Sequence, residues 1–137
     1  MNANRFRFRA WDDSDQMMYY DVQLGINFGD GSEYSFERFL GNQDEGDYHG
    51  WILMQSTGLT DRNGVEVFEK DIVRCCNDTL SKLYVIEWYE YSCGWCGTER
   101  TETTPQEERF WVRNLASQPL QIIGNIYQNP ELLEADQ

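Results

Sequence analysis

Residues 4–11, NRFRFRAW, alternate strictly between apolar and polar positions: Phe6, Phe8 and Ala10 share one face, Arg5, Arg7 and Arg9 the other. A period of two is the pattern of a strand with one buried face. The arginines are therefore expected on a solvated face, pairing with carboxylates across a hairpin. MMYYDV at 17–22 supplies the return strand, and the polar run from Asp12 to Gln16 the turn between them. Residues 25–50 lose the period and hold six glycines with a cluster of acids. YSFERFL at 34–40 fits a short helix or a strand, because Tyr34, Phe36 and Phe39 fix neither period. Residues 41–50 read as an exposed loop.

From residue 51 the pattern sharpens. WILMQST at 51–57 predicts a strand, and VEVFE at 65–69 its return. Asn63-Gly64 between them predicts a two-residue hairpin turn of type I′, which needs positive φ at both central residues. DIVRCC at 71–76 continues that strand or begins another after a kink near Lys70. LYVIEWYEY at 83–91, RFWVRNL at 109–115 and PLQIIGNIY at 119–127 predict three more strands. PELLEA at 130–135 places Pro130 at the first position of a helical turn. Many short strands separated by turns predict a small barrel or sandwich. The chain has no internal repeat and no low-complexity segment.

Composition adds the setting. A chain of 137 residues holds one domain, or one with a small appendage, and buries a core without disulfides or metal. Aromatic residues make up 15%, which again favours pleated sheet. Mean hydropathy is -0.69, and the longest apolar runs, about four residues, fall far short of the ~20 that span a bilayer. MNANRFRFRAWDD at the start lacks the apolar core of a signal peptide. The expectation is a soluble intracellular protein, without a membrane partner, whose thiols stay reduced.

The net charge is -13, from 24 acidic and 11 basic residues. Such a surface repels phosphate backbones, so no nucleic-acid partner is expected. Two uses of the charge remain: solubility, or an acidic mimic of DNA that occupies a basic protein. The acids run from Asp12 to Asp136, interrupted by Arg and Lys that include Arg38, Arg62, Lys70, Lys82, Arg100 and Arg113, which favours solubility.

Three separated blocks carry a resemblance: FRAWDDSDQMMYYDV near the start, LMQSTGLTDRNGVEVFEKDIV at 53–73, and IIGNIYQNPELL at 122–133. Together, and in this order, they resemble the YopX family of phage and prophage proteins. That family usually carries Gly where Lys70 stands, so a small backbone adjustment is expected before Asp71. The resemblance implies a mainly β protein with an SH3-type small barrel in its C-terminal part, a phage or prophage origin and a place in the host cytoplasm. It implies no activity. The division expected is 1–50 for the N-terminal hairpin and irregular segment, and 51–137 for the SH3-type barrel with a short C-terminal helical turn.

The cysteines are the first chemical candidates. Cys93-Gly94-Trp95-Cys96 has redox spacing, but a reactive CxxC places its first cysteine at a helix start. Cys93 instead follows the strand-like EWYEYS and precedes a polar run. Zinc needs four converging ligands, yet Cys75 and Cys76 are adjacent and would point to opposite faces of a strand. All four are read as reduced structural thiols, with CGWC a turn at a strand end and Trp95 packed on the barrel. His49 is the only histidine and lies in the acidic loop. The clusters Asp12-Asp13-Asp15 and Asp44-Glu45-Asp47 lack the EF-hand spacing and read as solvated loops. GINFGDG at 25–31 matches no phosphate-binding fingerprint.

No catalytic, cofactor-binding or metal residue is therefore assigned. Five Trp and eight Tyr either all pack in the core or leave a surplus for the surface, and such residues concentrate at binding hot spots. The expected function is a non-enzymatic interaction module that binds a host or phage protein, or a second copy of itself. The alternatives are an enzyme or metal-binding protein with an unrecognised site, and the acidic DNA mimic.

Overall fold

A computed structural model describes residues 6–27, 33–37, 51–75, 83–89, 94–99, 109–111 and 120–133. The protein is mainly β, and every ladder of known register is antiparallel. The strands are β1 Phe8–Asp12, β2 Met17–Tyr20, β3 Ile26–Asn27, β4 Glu33–Tyr34, β5 Trp51–Thr60, β6 Glu66–Phe68, β7 Asp71–Cys75, β8 Leu83–Tyr89, β9 Gly94–Glu99, β10 Arg109–Trp111 and β11 Leu120–Asn125. The chain divides into two compact units, Met1–Ser56 and Thr57–Gln137. β5 runs out of the first and into the second. No helix among the described residues is long and apolar enough to cross a membrane.

In the first unit β1 is the central strand, pairing with β2 through Arg9↔Tyr20 and Trp11↔Met18, and with β5 through Arg9↔Met54 and Ala10↔Leu53. Ala10, Val22 and Trp51 form its core, with Phe8, Tyr19, Ile26, Phe36 and Leu53 packed against them. Phe8 meets Phe36 at 5.0 Å between ring centroids, and Tyr19 meets Trp51 at 5.2 Å. The turn after β1 is held by Asp12, whose Oδ1 accepts the backbone N–H of Ser14 at 3.0 Å and of Asp15 at 3.3 Å. The β2–β1 hairpin thus stands where the alternation places it.

Its burial differs from the expectation at two residues. Phe6 precedes the strand and is 54% exposed, whereas Arg9 is 3% exposed. A central strand has neighbours on both sides, and Trp11 and Met54 are buried on the same face as Arg9. The aliphatic stem of the arginine is therefore covered instead of solvated. The return strand also stops early: Asp21 adopts φ 59, and Val22–Leu24 form a 3-10 turn.

Arg7 does pair with a carboxylate, its Nε lying 2.9 Å from Asp21 Oδ1. This hydrogen bond is the main reason the Asp21 carboxyl titrates below its ordinary value; slight burial acts the other way, and Gln23 adds to the lowering. A depressed folded-state pKa gives stability that is present above the unfolded value and lost as pH falls through the folded one. Both groups are more than a third exposed, so water screens most of the effect. Titration of Asp21 by NMR should show a midpoint below the usual aspartate range. Arg7→Gln should move it upward, and an unmoved midpoint would exclude Arg7 as the cause.

In the second unit five strands take the order β10-β9-β8-β7-β11. Val67, Val73, Cys75, Ile86 and Leu120 form the core, with Leu59, Tyr84, Trp95 and Ile122 against it. Ile72 and Val85 alternate to the opposite face and are equally buried. Burial on both faces explains why Ile72-Val73 and Val85-Ile86 read as continuous apolar pairs instead of alternating with polar residues.

The hairpin around Asn63-Gly64 is real, but its turn is not type I′. β5 continues through Thr60, and Gly64 N–H bonds to Asp61 carbonyl at 3.0 Å, closing a turn over Arg62 and Asn63. Gly64 has φ 82, while Asn63 stays outside the positive-φ region. A three-residue loop ending in a left-handed glycine replaces the two-residue one. The Asp61 carboxylate explains the choice, because Oδ1 accepts the N–H groups of Asn63 at 2.8 Å and Val65 at 2.9 Å. A Cβ at Gly64 would meet nothing within 4 Å, so substitution there costs backbone strain alone. Gly64→Val should lower stability by about 1.5 kcal/mol and Gly64→Asn by much less; equal melting temperatures for the two would contradict the assignment.

The kink near Lys70 is a turn at Glu69 and Lys70, after which β7 starts afresh at Asp71. Lys70 itself is left-handed, at φ 72, so the lysine adopts the conformation a glycine would take without strain. Its N–H bonds to Ile86 carbonyl at 2.7 Å, and its carbonyl accepts Ile126 N–H at 3.1 Å. These bonds hold the residue in place. At the other end, Pro130–Leu133 form a 3-10 turn with Pro130 first. Of RFWVRNL, Arg109–Trp111 form β10, and 112–115 lie outside the described residues.

Candidate functional site

β8 alternates: Val85 and Glu87 take one face, Tyr84, Ile86 and Trp88 the other. The ladder with β9 sets Ile86 opposite Gly97 and Trp88 opposite Trp95. The two indoles meet edge to face, with centroids 5.3 Å apart and planes at 75°. This is a favoured quadrupole arrangement, contributing roughly 0.5–1.5 kcal/mol beyond burial. Trp95 is half-buried and rests on the core of the second unit. Trp88 is 48% exposed. One indole is therefore an anchor, and the other presents almost half its surface to solvent.

The support beneath Trp88 is firm. Glu87, its neighbour on the opposite face of β8, forms an ion pair with Lys70 at 3.1 Å, both groups being about a quarter exposed. Lys70 is fixed in turn by its backbone bonds to Ile86 and Ile126. A large side chain on a strand clamped from both sides needs little ordering on contact with a partner.

The structure corrects the reading of CGWC. Gly94, Trp95 and Cys96 belong to β9, so this stretch is strand and not turn. The physical reason is the cross-strand ladder: Trp95 pairs with Trp88 and Cys96 with Glu87, extending the sheet up to Gly94. Cys75 and Cys96 are buried thiols on β7 and β9, outside any disulfide. Cys76, Cys93, His49, Asp44, Glu45 and Asp47 lie outside the described residues.

Asp12 is 6% exposed, not solvated, because its carboxylate is engaged by the turn that follows. Asp13 accepts from Trp11 Nε1 at 3.4 Å and from Gln16 Nε2 at 3.3 Å. That acidic cluster therefore closes a hairpin. Among the described residues no group of three or more His, Cys, Asp or Glu could hold a metal ion. Trp88 was not singled out by sequence reasoning. Its signal was the spacing to Trp95, which pairs the two only if the hairpin turns midway between them.

Two antiparallel β units of this order define a small, mainly β protein with an aromatic pair at the end of its longer ladder. The chain belongs to the YopX family, whose model, described as YopX protein, matches residues 7–134. Protein EF1440 from Enterococcus faecalis has a similar structure, with a TM-score of 0.60 and 25% identity over 93% of this chain and 96% of that one. Protein yopX from Bacillus subtilis is similar in fold, with a TM-score of 0.56 and 17% identity over 96% of this chain and 98% of its own. No curated protein matches the chain.

Proposed function

We propose that this chain is a non-enzymatic protein-interaction module of phage or prophage origin, acting in the bacterial cytoplasm through the Trp88–Trp95 face. The second unit is an SH3-type barrel in this reading. Supporting it are five short antiparallel strands in one sheet and the register shift between Ile122 and Gly124 in β11, since a bulge bends its strand. The partner is a host or phage protein, or a second copy, and neither nucleic acid nor membrane. The observation that carries the reading is the half-exposed indole of Trp88 set on a half-buried aromatic anchor. Trp is the residue type most often found at the energetic centre of interfaces.

The experiment compares the wild-type protein with Trp88→Ala in capture from bacterial lysate, with mass spectrometry and light scattering. A specific protein, or a second copy, should be retained by the wild type. A hot-spot loss of about 2 kcal/mol, roughly thirty-fold in Kd, should remove it from the variant. Equal recovery by both, or a strict monomer with no partner, would overturn the proposal.

A further inference from the structure

We propose that the Trp88 face takes a basic, arginine-bearing segment of its protein partner, with a guanidinium stacked on the indole. This rests on the reading of that face as the point of contact. The exposed indole offers a π face whose quadrupole attracts cations. The net charge of this part of the chain has the matching sign: residues 57–137 hold 14 acidic and 7 basic residues, within a chain of net charge -13. A field of this sign draws a basic partner to the face and turns an acidic one away.

The same charge weighs against the other occupants. Two copies would each bring -13 to the contact, so self-association at this face works against long-range repulsion. A purely apolar segment would cover the indole but gain nothing from the acids. Arginine suits the site better than lysine, because its planar, weakly hydrated guanidinium stacks on an aromatic face.

The test uses the full chain and three end-blocked octapeptides, (Ser-Arg)4, (Ser-Leu)4 and (Ser-Glu)4, titrated by calorimetry at about 0.15 M salt. The arginine peptide should bind tightest, and Trp88→Ala should weaken it about five-fold, with Trp88→Phe between the two. Should Trp88→Ala fail to fold, the smaller weakening by Trp88→Phe carries the test. Equal binding of the arginine peptide to all three proteins overturns the proposal, because the attraction is then diffuse charge. Trp88-dependent binding of the leucine peptide alone also overturns it, yet leaves the interaction module standing. Absence of any Trp88-dependent binding overturns it too, and the module then stands or falls on the lysate capture.

Discussion

Asp61→Ala should lower the stability of the protein by about 3 kcal/mol, roughly 10 °C in melting temperature for a chain of this size. Asp61 is 7% exposed and holds three backbone donors at once. Oδ1 takes Asn63 and Val65 within its own hairpin, while Oδ2 reaches across to Ile122 N–H in β11 at 3.1 Å. The neighbouring Arg62 N–H adds a 2.7 Å bond to Leu120 carbonyl, so this loop and the start of β11 are laced together at two points. Alanine would leave the loop donors to water, a modest loss, but strand half-buried Ile122 without its acceptor, a larger one. Asp61→Asn should fall between the two, since an amide retains one acceptor oxygen and presents a donor where the second stood. Thermal melts followed by near-UV circular dichroism measure this directly. A melting temperature within 2–3 °C of wild type, about the effect of an ordinary surface change, would show that Asp61 does not organise the hairpin.

The sequence made the strands legible because most of them alternate or run apolar in short stretches, and these periods survive folding. It left three things hidden. The burial of Arg9 depends on β1 being central, which is a property of the sheet and not of residues 4–11. The turn type at Asn63-Gly64 was set by a carboxylate two residues upstream, so a dipeptide rule chose the wrong geometry. The Trp88–Trp95 pair joins two strands whose turn gave no clear signal of its own.

The three blocks that resemble the YopX family have a common physical content. Each contains a turn held by a side-chain oxygen: Asp12 in the first, Asp61 in the second, and Asn125 in the third. In the second, Asp71 Oδ2 also accepts Phe68 N–H at 2.7 Å, closing the turn that carries left-handed Lys70. Turn blocks of this kind specify a fold. The candidate contact residue, Trp88, lies outside all three, so the family could be recognised from residues that make the scaffold while the candidate site stayed unread.

The third block also holds a steric lock, and Gly124→Ala should break it. A Cβ at Gly124 would lie 2.6 Å from Asn129 Cγ and collide with its Oδ1. Asn129 sits there for a reason: Oδ1 accepts Asn125 N–H at 3.2 Å, and its own N–H bonds to Asn125 carbonyl at 2.9 Å. Asn125 is 5% exposed, and its Oδ1 accepts from Tyr127 at 3.1 Å and Gln128 at 2.9 Å, so the whole segment 124–129 folds around these two amides. The added methyl must push the Asn129 side chain away, which forfeits its bond and loosens the 3-10 turn that begins at Pro130. The expected loss is about 2 kcal/mol, net of the few tenths that alanine gains by restricting the unfolded chain. Asn129→Ala alone should cost about 1 kcal/mol for its hydrogen bond. In the double variant the collision with Asn129 Oδ1 and Cγ is gone and only the 3.0 Å approach to the Cβ of residue 129 remains, so its stability should return most of the way to that of Asn129→Ala, a coupling of roughly 1–2 kcal/mol. Denaturant unfolding of the four proteins completes the cycle. Simple additivity would mean that Gly124 is required for some reason other than the space Asn129 occupies.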